Sequence, residues 1–208
     1  GLLIWMLAGF AGVAAAQPVE ARRWVDSTMS ALSLREKIGQ LFVIRSFARD
    51  TPEVGGLEED LIVRYGVGGV CFFKGTTENL AARAKHYQRA ARVPLLMSID
   101  GEWGLGMRMT DIPAFPKQLC LGALSDNRPI YAMGKEIARQ MRAIGLHMNF
   151  APVADINNNP ANPVINERSF GSGRKEVTAK VFAYLRGLED GGVLACLKHF
   201  PGHGDTDV

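Results

Sequence analysis

Two hydrophobic periods alternate along this chain. Short continuous apolar runs, the pattern of strands buried on both faces, occur at Leu41–Ile44, Gly66–Phe73, Val93–Ile99, Leu146–Phe150 and Val193–Leu197. Between them the apolar residues recur at helical spacing. The segment Val19–Ile38 predicts one helix or two, with Ser33 as N-cap and Glu36 at the capping-box position. Helices are also expected over Glu58–Tyr65, from a cap at Thr76 or Thr77 to Ala91, and over Glu176–Glu189. A further one is expected over Ser125–Ile144, with Ile130, Met133, Ile137 and Met141 on one stripe. This alternation predicts a parallel sheet with helices outside it.

Polar groups recur where these strands end. Asp100 closes the third, Asp155 lies just beyond the fourth, and Lys198 and His199 follow the fifth. The long loops Gly101–Pro116 and Asn157–Ser172 lie on the same side. A (β/α)8 barrel places its site in this way. The expected fold class is therefore α/β: the N-terminal part, about five βα units, of a (β/α)8 TIM-like barrel. A doubly wound open sheet is the alternative, but it would carry a glycine-rich phosphate loop after an early strand. Here Gly66-Val67-Gly68-Gly69 precedes its strand. A full barrel takes about 250 residues and eight strands. The count of strands in these 208 residues, and a first residue that is Gly rather than Met, predict a piece cut at both ends.

Composition narrows the class. The chain is 47% hydrophobic and 22% charged with a net charge of +3, ordinary for a globular domain. The basic residues are scattered, with no basic stripe interleaved with aromatics, so no nucleic-acid partner is expected. Leu2–Ala16 carries no charge and ends in Ala14-Ala15-Ala16 before Gln17. That reads as a secretory signal peptide over 1–16, its start missing, ahead of the domain at 17–208. The run is shorter than the roughly 18–20 apolar residues of a membrane span; an uncleaved anchor is the alternative. The mature protein is expected to be exported, periplasmic or extracellular. Cys71, Cys120 and Cys196 are read as small buried hydrophobes with no catalytic role, a disulfide plus a free thiol being the alternative.

The densest chemistry is the final stretch KHFPGHGDTDV, Lys198 to Val208. Pro201, Gly202 and Gly204 break regular structure there, so His199 and His203 do not share a helix face and a helical metal pair is not expected. KHFPGHGDT resembles the signature of glycoside hydrolase family 3, in its β-N-acetylhexosaminidase branch. SLREKIGQLF, SIDGEWGLGMRM and NFAPVADINNNPANPVINERSFG are similar to other segments of that family, in order and spacing, from about Ser33 to the end.

The resemblance implies a retaining exo-hydrolase of terminal β-N-acetylglucosaminides, acting on a carbohydrate substrate with no metal or organic cofactor. Asp100 would accept hydrogen bonds from sugar hydroxyls. Arg108, Arg168, Lys198 and His199 would complete the substrate-binding pocket. His203 and Asp205 would shape the loop, and Asp155 would orient Arg168 or Lys198. The family's acid/base is a histidine in an Asp-Ser-His motif soon after KHFPGHG, and its nucleophile an aspartate two strands later. Neither is in this chain, so no catalytic residue is assigned here and the piece alone is expected to be inactive. A further C-terminal domain is a possible partner. Three other readings stand beside this one: a β-glucosidase-type member, an inactive sugar-binding homologue, and a metal hydrolase built on His199, His203 and Asp205.

Overall fold

A computed structural model describes residues 19–49 and 54–206. The expected signal peptide lies outside these residues. Two helices open the structure, α1 (Val19–Ala31) and α2 (Leu34–Gly39). Ser33 caps α2 as the sequence predicts: its side chain accepts from Glu36 N–H, and the Glu36 carboxylate accepts from Ser33 N–H at 2.8 Å. Next come β1 (Val43–Ala48), α3 (Val54–Tyr65), β2 (Gly69–Gly75), α4 (Thr77–Ala90) and β3 (Leu96–Ile99). Then follow α5 (Gln118–Gly122), α6 (Arg128–Ala143), β4 (Met148–Asn149), α7 (Arg174–Asp190) and β5 (Leu194–Ala195).

The five strands form one parallel sheet in the order β1-β2-β3-β4-β5. Val43 pairs with Gly69, Gly69 with Leu96, Ser98 with Met148, and Met148 with Leu194. Strand order follows chain order without reversal. That is the order of consecutive staves in a (β/α)8 barrel, whereas a doubly wound sheet reverses at a switch point.

The core lies between one sheet face and the helices. Phe72, Met97 and Ile99 from the strands meet Leu80 and Tyr87 of α4 and Ile130, Ile137 and Met141 of α6, all fully buried. The predicted α6 stripe is thus the buried face. Helices α6 and α7 cross where Gly134 meets Gly187. A Cβ on Gly187 would lie 2.4 Å from the Tyr131 carbonyl oxygen and 2.9 Å from Gly134 Cα, so only glycine permits this approach.

The strands are shorter than the apolar runs. Leu41 and Phe42 are exposed and precede β1, and β4 and β5 each keep two ladder residues. The last run, expected to be a buried strand, is an edge: Leu194 and Leu197 are exposed. The cysteines also differ from expectation. Cys71 is buried, but Cys196 is half-buried and Cys120, on short α5, is exposed; all three are free thiols.

Candidate active site

The strand ends converge. Asp100 follows β3 directly. Its Oδ1 accepts from Lys198 Nζ at 2.5 Å, and its Oδ2 accepts from Arg108 Nη2 at 2.5 Å. Arg108 Nε also donates to the Asp100 carbonyl at 2.8 Å, so the guanidinium spans the residue's main chain and side chain. A carboxylate gripped by two cations has one orientation, and its remaining lone pairs point where the cations leave room.

Sequence reasoning missed the group that ties these cations together. Glu102, with a side chain only 1% exposed, accepts from Arg168 Nη2 at 2.6 Å and from Arg168 Nε at 2.9 Å. Its Oε1 lies 2.8 Å from Lys198 Nζ. Burial alone would raise the Glu102 carboxyl, but the hydrogen bonds and charges of Arg168 and Lys198 outweigh it and hold the group below the usual carboxylate value. Lys198 therefore bridges both acids, and Arg168 pairs with Glu102 rather than with Glu167 or Asp155. Glu167 pairs instead with Lys117.

Asp155 does something other than expected. It touches neither Arg168 nor Lys198. Its buried carboxylate accepts from His199 N–H at 3.2 Å and from His203 N–H at 2.6 Å, and its Oδ2 lies 2.7 Å from His199 Nδ1. If the ring donates its Nδ1 proton to this carboxylate, Nε2 is left to face a ligand. The peptide bonds Lys198–His199 and Phe200–Pro201 are cis, as is Ala151–Pro152.

His203 and Asp205 lie in the following loop. The His203 ring meets the Thr206 hydroxyl, and Asn162 Nδ2 donates to the His203 and Thr206 carbonyls at 2.8 Å each. Gly204 packs so tightly that a Cβ would sit 1.9 Å from the Ile156 carbonyl oxygen. Asp205 is exposed. The His199 and His203 rings meet edge to face with centroids 5.3 Å apart. Among the described residues no group of three or more His, Cys, Asp and Glu side chains is placed to hold a metal ion.

The frame beneath is rigid. Asn149, at the end of β4, accepts from Gly101 N–H at 3.0 Å and donates to the Gly101 carbonyl at 3.0 Å. Gly101 sits between Asp100 and Glu102, so one side-chain amide fixes the peptide that carries both acids. Asp100, Lys198, Phe73, Phe150, Cys71 and Arg45 are among the residues that line a cavity of about 420 Å³. Burial pushes the Cys71 thiol there up to about 11, so it is no nucleophile at neutral pH. His147 lies within an apolar run yet is exposed at the opposite end of the sheet, where its Nδ1 accepts from Met97 N–H at 3.2 Å.

The profile described as "Glycosyl hydrolase family 3 N terminal domain" matches residues 33–208. Beta-hexosaminidase A of Pseudoalteromonas piscicida is 36% identical over an alignment of 162 residues that covers 72% of this chain and 27% of that protein. A beta-N-acetylglucosaminidase/beta-glucosidase of Cellulomonas fimi is 33% identical over 181 residues, 87% of this chain and 31% of that protein. Among solved structures, a glycoside hydrolase family 3 beta-N-acetylglucosaminidase from Paenibacillus sp. str. FPU-7 is similar with a TM-score of 0.77 and 38% identity, over 86% of this chain and 35% of that one. The chain thus spans 27% and 31% of the two curated relatives. A parallel sheet in sequential order, polar groups gathered at its strand ends and these matches agree: the chain belongs to glycosyl hydrolase family 3, among relatives named as β-hexosaminidases.

Proposed function

We propose that this chain supplies the sugar-holding part of an exported, retaining exo-glycosidase that cleaves terminal β-N-acetylglucosaminides. The observation that carries the reading is the Asp100 carboxylate, held by Lys198 and Arg108 at the C-terminal end of the sheet. An acid already neutralised by two fixed cations can accept from two adjacent sugar hydroxyls without reorganising. Lys198, Arg108 and Arg168 offer further donors to hydroxyl and carbonyl oxygens, and His199 offers Nε2. Together they would fix the ring so that the glycosidic bond stands in one place. Hydrolysis with retention needs an acid/base and a nucleophile about 5–5.5 Å apart. We assign both to parts of the protein that follow Val208, the acid/base on the continuation of the His203 loop.

A β-glucosidase activity is the second reading, because the Cellulomonas fimi relative carries both activities in its name. The test uses the full-length gene product that contains this chain, assayed on aryl β-N-acetylglucosaminide and aryl β-glucoside. Preference for the first, with kcat/KM reduced at least a hundredfold by Asp100→Ala, is expected; loss of a buried charge-assisted pair is on the scale of about 3 kcal/mol. Preference for the glucoside moves the protein to the second reading. Turnover of neither leaves a sugar-binding protein without the chemistry.

A further inference from the structure

Two loops meet at one buried side chain. Asn162 lies in the long loop between β4 and α7 and is only 1% exposed. Its Oδ1 accepts from Val164 N–H and Ile165 N–H, at 2.8 Å each. Its Nδ2 donates to the His203 and Thr206 carbonyls, 41 and 44 positions away in sequence. A side-chain amide has two donor hydrogens and two acceptor lone pairs, and all four are used here. Turned the other way, the amide would set its hydrogens against two N–H groups, so one orientation fits.

The segment it grips is held from other sides too. Asp155 accepts from His199 N–H and His203 N–H, the Thr206 hydroxyl donates to the His203 carbonyl at 3.2 Å, and Gly204 is pressed against the Ile156 carbonyl. The turn on the far side of Asn162 leads back to the sugar pocket. Val164, whose N–H donates to Asn162, accepts at its carbonyl from Arg168 Nη1 at 3.2 Å. Arg168 grips Glu102 with its Nε and Nη2, and Lys198 joins Glu102 to Asp100. An unbroken path of hydrogen bonds and ion pairs thus runs from the acid that faces the sugar to the Thr206 carbonyl. Asn162 is the step at which this path enters the last loop.

We propose that Asn162 is a positioning residue for the proton donor. It fixes the point from which the His203 loop departs, and with it the distance from the general acid to the glycosidic oxygen. The inference rests on the reading above that the acid/base lies on the continuation of this loop. A general acid acts only within hydrogen-bond reach of the atom it protonates. A displaced foot therefore costs proton transfer to the leaving group, while the sugar contacts of Asp100 and its cations remain.

The experiment compares kcat/KM of the full-length gene product on two aryl β-N-acetylglucosaminides. The 2,4-dinitrophenyl leaving group departs without a proton, and the 4-methoxyphenyl group needs one. Asn162→Asp keeps the acceptor for Val164 and Ile165 but turns an oxygen towards the two carbonyls. It should lower kcat/KM at least about tenfold on the 4-methoxyphenyl substrate, the scale of a misplaced general acid, and leave the dinitrophenyl substrate little changed. Both values come from one preparation, so a loss of folded protein cancels in their ratio. Gly204→Ala leaves Asn162 in place and displaces the same foot by collision with the Ile156 carbonyl. It should move the ratio in the same direction, and it decides the question where Asn162→Asp yields no folded protein. Asp100→Ala is the contrast and should lower both substrates alike, because it acts on the sugar that they share. A ratio unchanged in Asn162→Asp, whether both values fall together or neither falls, overturns the proposal. Turnover of neither substrate by the unsubstituted protein overturns instead the glycosidase reading on which it stands.

Discussion

Glu102 offers the sharpest test of how the pocket is held. Glu102→Ala removes a carboxylate that is 1% exposed and leaves Arg168 and Lys198, with side chains 24% and 14% exposed, without it. Removing one partner of a buried pair costs about 3–5 kcal/mol. Water reaches both cations here and Lys198 keeps Asp100, so we expect about 2–3 kcal/mol instead. Glu102→Gln keeps the shape and one acceptor, and should lose about half of that. The sign of the pH dependence follows from a carboxyl held below its usual 4.5 by Arg168 and Lys198 in spite of burial. Its contribution is fully present above pH 4.5 and is lost as pH falls through the lower folded value. The stability gap between parent and Glu102→Gln should therefore be flat above pH 4.5 and narrow below it. Urea unfolding of the full-length gene product, followed by circular dichroism across that range, reads the gap. A Glu102→Ala variant within about 0.5 kcal/mol of the parent, or a gap that widens in acid, would refute the reasoning.

Other consequences are as direct. Gly187→Ala should destabilise by about 1–3 kcal/mol, because its methyl would collide with the Tyr131 carbonyl and Gly134; the denaturation midpoint reads this, and an unchanged one contradicts the crossing described. Asp155→Asn has one acceptor oxygen where two main-chain N–H groups and the His199 ring nitrogen now meet the carboxylate, and should cost about 1–3 kcal/mol and weaken sugar binding through His199. Full affinity in that variant would show that His199 needs no carboxylate to orient it. In folded protein Cys120 should react with a thiol reagent at once, while Cys71, buried and raised to about 11, should react only on unfolding; equal rates would contradict the burial.

The sequence showed the alternation of elements because burial on both faces of a parallel strand leaves an unbroken apolar run, and α6 shows its stripe because one face is buried. Strand boundaries were less legible. Leu41 and Phe42 look like strand by composition, but the ladder starts at Val43, and hydrophobicity does not say where pairing begins. Asp100, Arg108, Lys198 and Arg168 could be grouped because they lie at strand ends or in the family's segments, and the fold brings them together. Glu102 could not. It lies in a glycine-rich loop with no period, and its partners Arg168 and Lys198 are 66 and 96 positions away in sequence. The one available signal was charge: three cations, Arg108, Arg168 and Lys198, grouped with the single acid Asp100 call for a second acid nearby. Asp155 was placed correctly at its strand end, but its partners were not, since two of its three contacts are main-chain N–H groups that no side-chain identity announces.

The Asn149 amide that grips both sides of the Gly101 peptide ties the two acids to the pairing of β3 with β4. Such a joint has no slack. The Gly101 amide proton should exchange with solvent only when the sheet itself opens, so the pocket has no private breathing motion of its own. Sequence drift can then reshape the surrounding loops freely, while the acids at the centre keep their spacing for as long as the sheet exists.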